Sequence, residues 1–315
     1  LDAITVSLIV HDDFSHVRRA LRSLMDQPLR GLRVVVTVNA GRPEDVSALQ
    51  AGFPDVVVRV NPTPRGFAAN HNAVLREADT LFVALVNDDI RAQSGMLDDL
   101  ADFLVSHPQV GLVSPRVLNP DGSPQLMAFN DPTVLRMLYK ISGLGYFTRQ
   151  GTPLRRLAVR LGGARLAVAS FSAYEHSAIV PVVVGVAMLV RREAYLQAGV
   201  MDEDTRVYGE ESAWCWRLRQ CGWQIALVAE TSVTHYNSEQ PLKGWKLAEH
   251  RKGILNYYVR YRPEWQALII RAALIGLHSL RALGASLFDR GQAAAELRVV
   301  RMALCFRPLP PVTPG

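Results

Sequence analysis

The chain has 315 residues, 49% of them hydrophobic, enough for a sizeable core and long for a single domain. Its formal net charge of +6 suits phosphate-bearing ligands or an anionic membrane surface. No zinc-finger, RRM-like or basic-zipper pattern supports a nucleic-acid partner, and Cys215, Cys221 and Cys305 form no C-x-x-C pair, which argues against a disulfide framework and suits a reducing cytoplasm.

The first 115 residues alternate regularly. Strands are predicted over Thr5–Val10, Leu32–Asn39, Val56–Val60, Leu81–Val86 and Val110–Ser114, with helices over Val17–Met25, Pro43–Ala51, Ala68–Ala78 and Met96–His107. That alternation indicates βαβ units and a mostly parallel sheet. Residues 116–182 break the pattern as a basic insertion: from Arg136 to Arg165 there are seven basic residues and no acidic one, interleaved with Leu, Met, Ile, Tyr and Phe. Such a segment reads either as a surface loop or as a contact for a phospholipid-like acceptor or a membrane. Order returns with a strand over Val182–Val190, a helix from Arg192, a helix over Glu210–Cys221 closed by Gly222, and a strand over Trp223–Val228. Residues 241–315 read as a helical extension, Trp245–Tyr261 first. The apolar run after Trp265 is interrupted by Arg271 and is too short to span a bilayer, so an interfacial helix or packed hairpin is expected.

Three stretches carry chemistry. The run LFVALVNDDI (Leu81–Ile90) ends a buried strand on Asp88 and Asp89, and open α/β sheets bind ligands at that carboxyl edge. Adjacent acids are costly to hold together unless a cation neutralises them. In Asn61–Asn72, Gly66 precedes a helix whose N-terminus offers N–H groups to phosphate. Arg65 adds a cation, and Asn70 and Asn72 add polar contacts. Finally, Tyr208–Trp223 opens a helix with Glu210 and Glu211, where a carboxylate is favoured and can take a proton from a hydroxyl. His235, beyond the strand-like Ser232–Thr234, is a candidate metal or phosphate contact.

In this order the motifs resemble family-2 glycosyltransferases, particularly the rhamnosyltransferase-like branch of bacterial cell-surface polysaccharide synthesis. The matching residues are Asn39; Asn61, Gly66, Phe67, Ala68 and Asn72; Asn87 and Asp89; Gly185, Leu189, Arg191 and Arg192; and Gly209, Glu210, Arg217, Gly222 and Trp223. The match spans roughly residues 4–240. Val38 replaces an acid that often reads the nucleotide base, Pro64 replaces an Asn, Glu211 stands where the catalytic Asp is expected, and Ala213 replaces a second acid.

The resemblance implies an α/β GT-A fold over residues 1–240, with a nucleotide-sugar-binding half (1–115) and an acceptor and catalytic half (183–240). It implies inverting transfer of a sugar, rhamnose among the candidates, from a nucleotide-diphosphate donor to a glycan or polyprenyl-linked acceptor. Donor contacts would come from His11, Asp12, Asn39, Arg65, Gly66, Asn70, Asn72, Asp88 and Asp89. Asp89 and His235 would hold Mg²⁺ or Mn²⁺. Glu211, with Glu210 beside it, would serve as base, and Gly185, Tyr208 and Trp214 would face the acceptor. A cytoplasmic enzyme peripheral to the inner membrane face is expected; a sugar-nucleotide-binding pseudo-enzyme and a nucleotidyltransferase are the competing readings.

Overall fold

The computed structural model describes residues 4–11, 13–27, 31–143, 176–236 and 244–307. Its strands are β1 (Ile4–Val10), β2 (Arg33–Val38), β3 (Val57–Val60), β4 (Phe82–Asn87), β5 (Ile90–Ala92), β6 (Val110–Leu118), β7 (Ala128–Phe129), β8 (Ala178–Ile179), β9 (Val182–Val183), β10 (Ala187–Arg191) and β11 (Gln224–His235). The helices are α1 (Phe14–Met25), α2 (Pro43–Gly52), α3 (Phe67–Glu77), α4 (Met96–Ser106), α5 (Val134–Ser142), α6 (Arg192–Ala198), α7 (Glu210–Gln220), α8 (Trp245–Tyr261), α9 (Glu264–Ser286) and α10 (Arg290–Cys305).

The main sheet runs β3-β2-β1-β4-β10-β6-β11-β5, with β8 on β11. Its left half is parallel, as the βαβ alternation predicts, and β1 and β4 are buried along almost their full length because helices cover both faces. Three strands run against the rest, the short β8 on β11 being one of them. β10 is antiparallel between β4 and β6, and β5 is antiparallel to β11.

Local boundaries differ from the sequence expectation for identifiable reasons. Asp13 caps α1 by accepting the Ser15 N–H, so the helix starts at Phe14 rather than Val17. The strand expected over Val182–Val190 divides at Gly185. Its first part pairs with β7 in a separate two-stranded sheet, and its second joins the main sheet. The pieces expected as Trp223–Val228 and Ser232–Thr234 are one strand, whose register against β6 shifts between Val228 and Ser232.

A second hydrophobic cluster joins α5, α8, α9 and α10 with Ala213 of α7. Here two expectations change. In the part of the basic insertion that is described, Met137 and Ile141 of α5 are buried in this cluster rather than offered to a membrane; residues 144–175 lie outside the described residues. The apolar run after Trp265 is also longer than expected. It forms the 23-residue α9, which is long and apolar enough to cross a membrane by length and composition alone, although 28% of that stretch is buried inside the protein. Its inner face carries His278, hydrogen-bonded to Glu296 of α10.

Candidate active site

The carboxyl edge of β4 is where the sequence motifs meet. After Asn87 the chain turns through Asp88 and Asp89 into β5, anchored by the fully buried Ile90. β5 pairs with the end of β11, so His235 lies opposite Ile90, and the Tyr236 N–H donates to the Asp89 carbonyl at 3.0 Å. Ladder register therefore brings together two residues 146 positions apart. His235 Nε2 stands 3.2 Å from Asp89 Oδ1, both side chains largely buried.

Gln125 fixes the tautomer of that histidine. Its Nε2 donates to the Leu118 and His235 carbonyls at 3.3 and 2.9 Å and to Asn119 Oδ1 at 2.8 Å. Backbone carbonyls only accept, so the amide's orientation is set and Gln125 Oε1 faces His235 Nδ1 at 3.0 Å. Nδ1 must carry the proton there. A neutral His235 thus turns a lone pair toward Asp89 Oδ1, a buried atom without a hydrogen-bond partner. Two electron-rich atoms in this position call for a cation between them, either a proton or a metal ion. A carboxylate oxygen and an imidazole nitrogen 3.2 Å apart are donors that suit Mg²⁺ or Mn²⁺, and Asp89 and His235 would hold such an ion here. Among the described residues no group of three or more His, Cys, Asp or Glu side chains gathers. Most positions around such an ion would therefore fall to ligand and water. Burial pushes the Asp89 carboxyl up; with a proton also on His235 Nε2, the hydrogen bond and charge of that imidazolium outweigh burial and hold the group below its usual range.

The Asn61–Asn72 loop acts differently from its sequence expectation. Asn39, at the end of β2, accepts from the Arg65 N–H (2.7 Å) and Asn61 Nδ2 (2.9 Å), donates to the Arg65 carbonyl (2.9 Å), and meets His11 Nδ1 at 3.1 Å. Its polar atoms are committed inside the protein. Asn70, also buried, accepts from Asn61. Asn72 is fully buried and exchanges hydrogen bonds with the Met201 backbone while donating to Glu203. These asparagines fasten loops rather than meet a donor.

Gly66 is corrected as well. A Cβ there would lie 2.7 Å from the Thr205 carbonyl, and the Phe67 N–H donates to the Arg206 carbonyl at 2.7 Å. Chain segment 205–206, not a phosphate, occupies the close approach that glycine permits. Arg65 is 3.7 Å from Glu203, which also pairs with Arg76. His11 and Asp88 stay at the open edge, and Asp12 lies outside the described residues.

Because the loop braces 201–206, it also sets the second acid pair. Tyr208 has φ +80, the one non-glycine residue with positive φ among those described, and Gly209 follows at φ +91. Helix α8 presses on this turn through Gly253, where a Cβ would lie 2.1 Å from the Tyr208 carbonyl. Glu210 is buried and hydrogen-bonded to Thr205, and one carboxyl oxygen, Oε2, has no partner. Burial first, and the Glu211 charge second, push its pKa up to about 8. Glu211 is half-buried. Burial raises it too, but the Lys140 cation opposes the rise.

Gly185 sits beside this edge, where a Cβ would meet the Phe67 ring at 3.8 Å, next to Val186, whose carbonyl accepts the Asn87 N–H. Trp214 does not face an acceptor: it is fully buried and donates to the Gly199 carbonyl at 2.8 Å. Ala213 is buried against the second cluster and Val38 within the main core, so the acids absent at both positions would be unsolvated here. Gln125 went unrecognised in the sequence because it lies where no periodic pattern marks an element.

A mostly parallel sheet with an Asp–His corner at the carboxyl edge of its central strand is the architecture of the GT-A glycosyltransferase class. The chain belongs to glycosyltransferase-like family 2, whose model matches residues 10–253. It is 23% identical over 295 residues to the N-acetylglucosaminyl-diphospho-decaprenol L-rhamnosyltransferase of Mycobacterium tuberculosis, covering 89% of this chain and 92% of that protein. Among solved structures it is similar to the mannosyltransferase PcManGT of Pyrobaculum calidifontis, bound to GDP-Man and Mn²⁺ (TM-score 0.55, 16% identity, 96% and 87% of the two chains). It is also similar to GalNAc-T7 with UDP, GalNAc and Mn²⁺ (TM-score 0.56, 14% identity), covering 82% of this chain and half of that one. These likenesses bear out the GT-A fold expected from the motifs.

Proposed function

We propose that this glycosyltransferase moves a deoxyhexose such as rhamnose from a nucleoside-diphosphate donor to a hydroxyl of a polyprenyl-diphosphate-linked sugar, with inversion at the anomeric carbon. The observation that carries the reading is the contrast between two acid pairs, Asp88–Asp89 with His235 against it at the end of β4 and the buried Glu210–Glu211 at the start of α7. The mycobacterial relative, matched along nearly its whole length, supports the choice of sugar and acceptor.

Asp89 and His235 would hold Mg²⁺ or Mn²⁺ against the donor diphosphate, where the ion offsets the charge of the leaving group. Gln125 keeps the His235 lone pair aimed at that corner. Glu211 accepts the proton of the acceptor hydroxyl as its oxygen attacks the anomeric carbon from the face opposite the diphosphate. The new C–O bond forms as the bond to the diphosphate breaks, and the nucleoside diphosphate leaves with the electron pair. The reacting carbon is oxocarbenium-like in between, as in glycoside hydrolysis. Glu210, holding its proton at neutral pH, orients the turn rather than competing as base. The exposed apolar side of α9, with Trp265, Leu268, Ile269, Leu280 and Leu283, fits a protein lying against the membrane that holds its acceptor.

The test is transfer from a panel of nucleoside-diphosphate sugars to a synthetic polyprenyl-diphosphate N-acetylglucosamine, with Mn²⁺ and with chelator. Metal-dependent transfer from a rhamnose donor is expected. Transfer of another sugar with equal efficiency, or release of pyrophosphate with a nucleotidyl product, would replace this reading.

A further inference from the structure

Beside the Asp–His corner, on the side of α1, lies an open cavity of about 500 Å³, within the size range of small-ligand sites. Arg18, Arg19 and Arg22 from α1 and Arg91 from β5 line it, with Asp26 also in the lining. Among the described residues no carboxylate lies within 4.0 Å of any of these four guanidinium groups, Asp26 included. By contrast, Arg42, Arg59, Arg76, Arg219 and Arg260 each have one. Arg22 complements the C-terminus of α1, but like charges at i and i+4, as in Arg18 and Arg22, repel on a helix face, so helix stability does not account for the whole group. Arg19 is held in place, its guanidinium 4.2 Å from the centre of the Tyr236 ring. Tyr236 in turn bonds its N–H to the Asp89 carbonyl.

We infer that this cavity binds the phosphate or diphosphate headgroup of a lipid next to the donor site. Guanidinium forks match phosphate oxygens two at a time, and four converging on one concavity are suited to a group with two or more charges. The position supports it: Arg91 is two residues from Asp89, and Arg19 touches the residue after His235. A lipid headgroup held there stands at the entrance to the site where its sugar would be extended. The inference rests on the proposed function for the identity of the lipid, not for the existence of the anion site.

The experiment is calorimetry of inorganic pyrophosphate in the presence of chelator, so that no metal bridges the anion to Asp89. The wild-type chain is expected to bind and Asp89→Ala to bind equally, while the exposed pair Arg22→Glu/Arg91→Glu loses at least about tenfold in affinity. The milder Arg22→Gln/Arg91→Gln should fall in the same direction, with both variants melting as the wild type does. Two further arms separate the sources of the phosphate. Weakened binding of farnesyl diphosphate, with co-sedimentation on phosphatidylglycerol vesicles unchanged, assigns the cavity to the acceptor diphosphate. The opposite pattern assigns it to the membrane's own headgroups. Pyrophosphate affinity that is undetectable in the wild type, or the same in wild type and both arginine variants, overturns the site. Intact pyrophosphate binding without sugar transfer from any donor would instead sink the proposed function and leave the cavity standing.

Discussion

Two pairs of adjacent acids, one ending β4 and one opening α7, sit in environments that push Asp89 and Glu210 in opposite directions. At Asp88–Asp89 a histidine approaches the second acid and holds it charged. At Glu210–Glu211 the first acid is enclosed with its neighbour's charge and no cation on it, and it keeps its proton. The chemistry of the side chains is nearly the same. What differs is the partner that tertiary structure supplies, a histidine at one pair and a buried pocket at the other, and the proposed function assigns a cation to the first and a proton to the second.

The comparison breaks first at Asp89. Asp89→Ala is expected to remove Mn²⁺-dependent binding of a nucleoside diphosphate, with the fold intact by circular dichroism. Gln125→Leu, which frees the imidazole to turn, should weaken metal affinity by about 10–100-fold. Calorimetry reads both. Undiminished metal-dependent binding in Asp89→Ala would take this acid out of the cation site.

Next comes the base. Glu211→Gln should lower turnover by about 10²–10⁴-fold while donor affinity holds. Glu210→Gln should act far less, because the residue it replaces is already neutral near pH 7. Steady-state kinetics of the two variants decide it, and a reversed ranking would exchange the two roles.

The smallest effect concerns stability and pH. The Glu210 pKa is raised from the usual carboxylate value near 4.5 to about 8, so the native state holds a proton that the unfolded chain has released between those values. The contribution is complete below pH 4.5 and is lost as pH rises through 8. Glu210→Gln cannot ionise and escapes that loss. Its melting temperature should therefore gain on the wild type between pH 5 and pH 9, by roughly 2–4 °C for each kcal/mol involved. Parallel melting curves across that range would show that Glu210 is ionised in the folded protein.

Much of this protein is legible in one dimension. The period of its apolar residues marks the parallel half of the sheet, since strands covered on both faces must be apolar throughout. The Asp–Asp ending of β4 and the Glu–Glu opening of α7 are local signals, visible because sheet edges and helix starts have fixed chemistry. The resemblance to family-2 glycosyltransferases also came from ordered motifs alone. Tertiary structure decided the rest, because burial and pairing join residues far apart in sequence. The register of β5 against β11 placed His235 on Asp89, and Gln125, from an unpatterned stretch, set which nitrogen faces it. Close backbone packing turned Gly66 and Asn72 from expected ligand contacts into the brace between loops. Packing sealed Trp214 in the core, and the convergence of α1 with β5 gathered four arginines that in sequence read only as scattered positive charge.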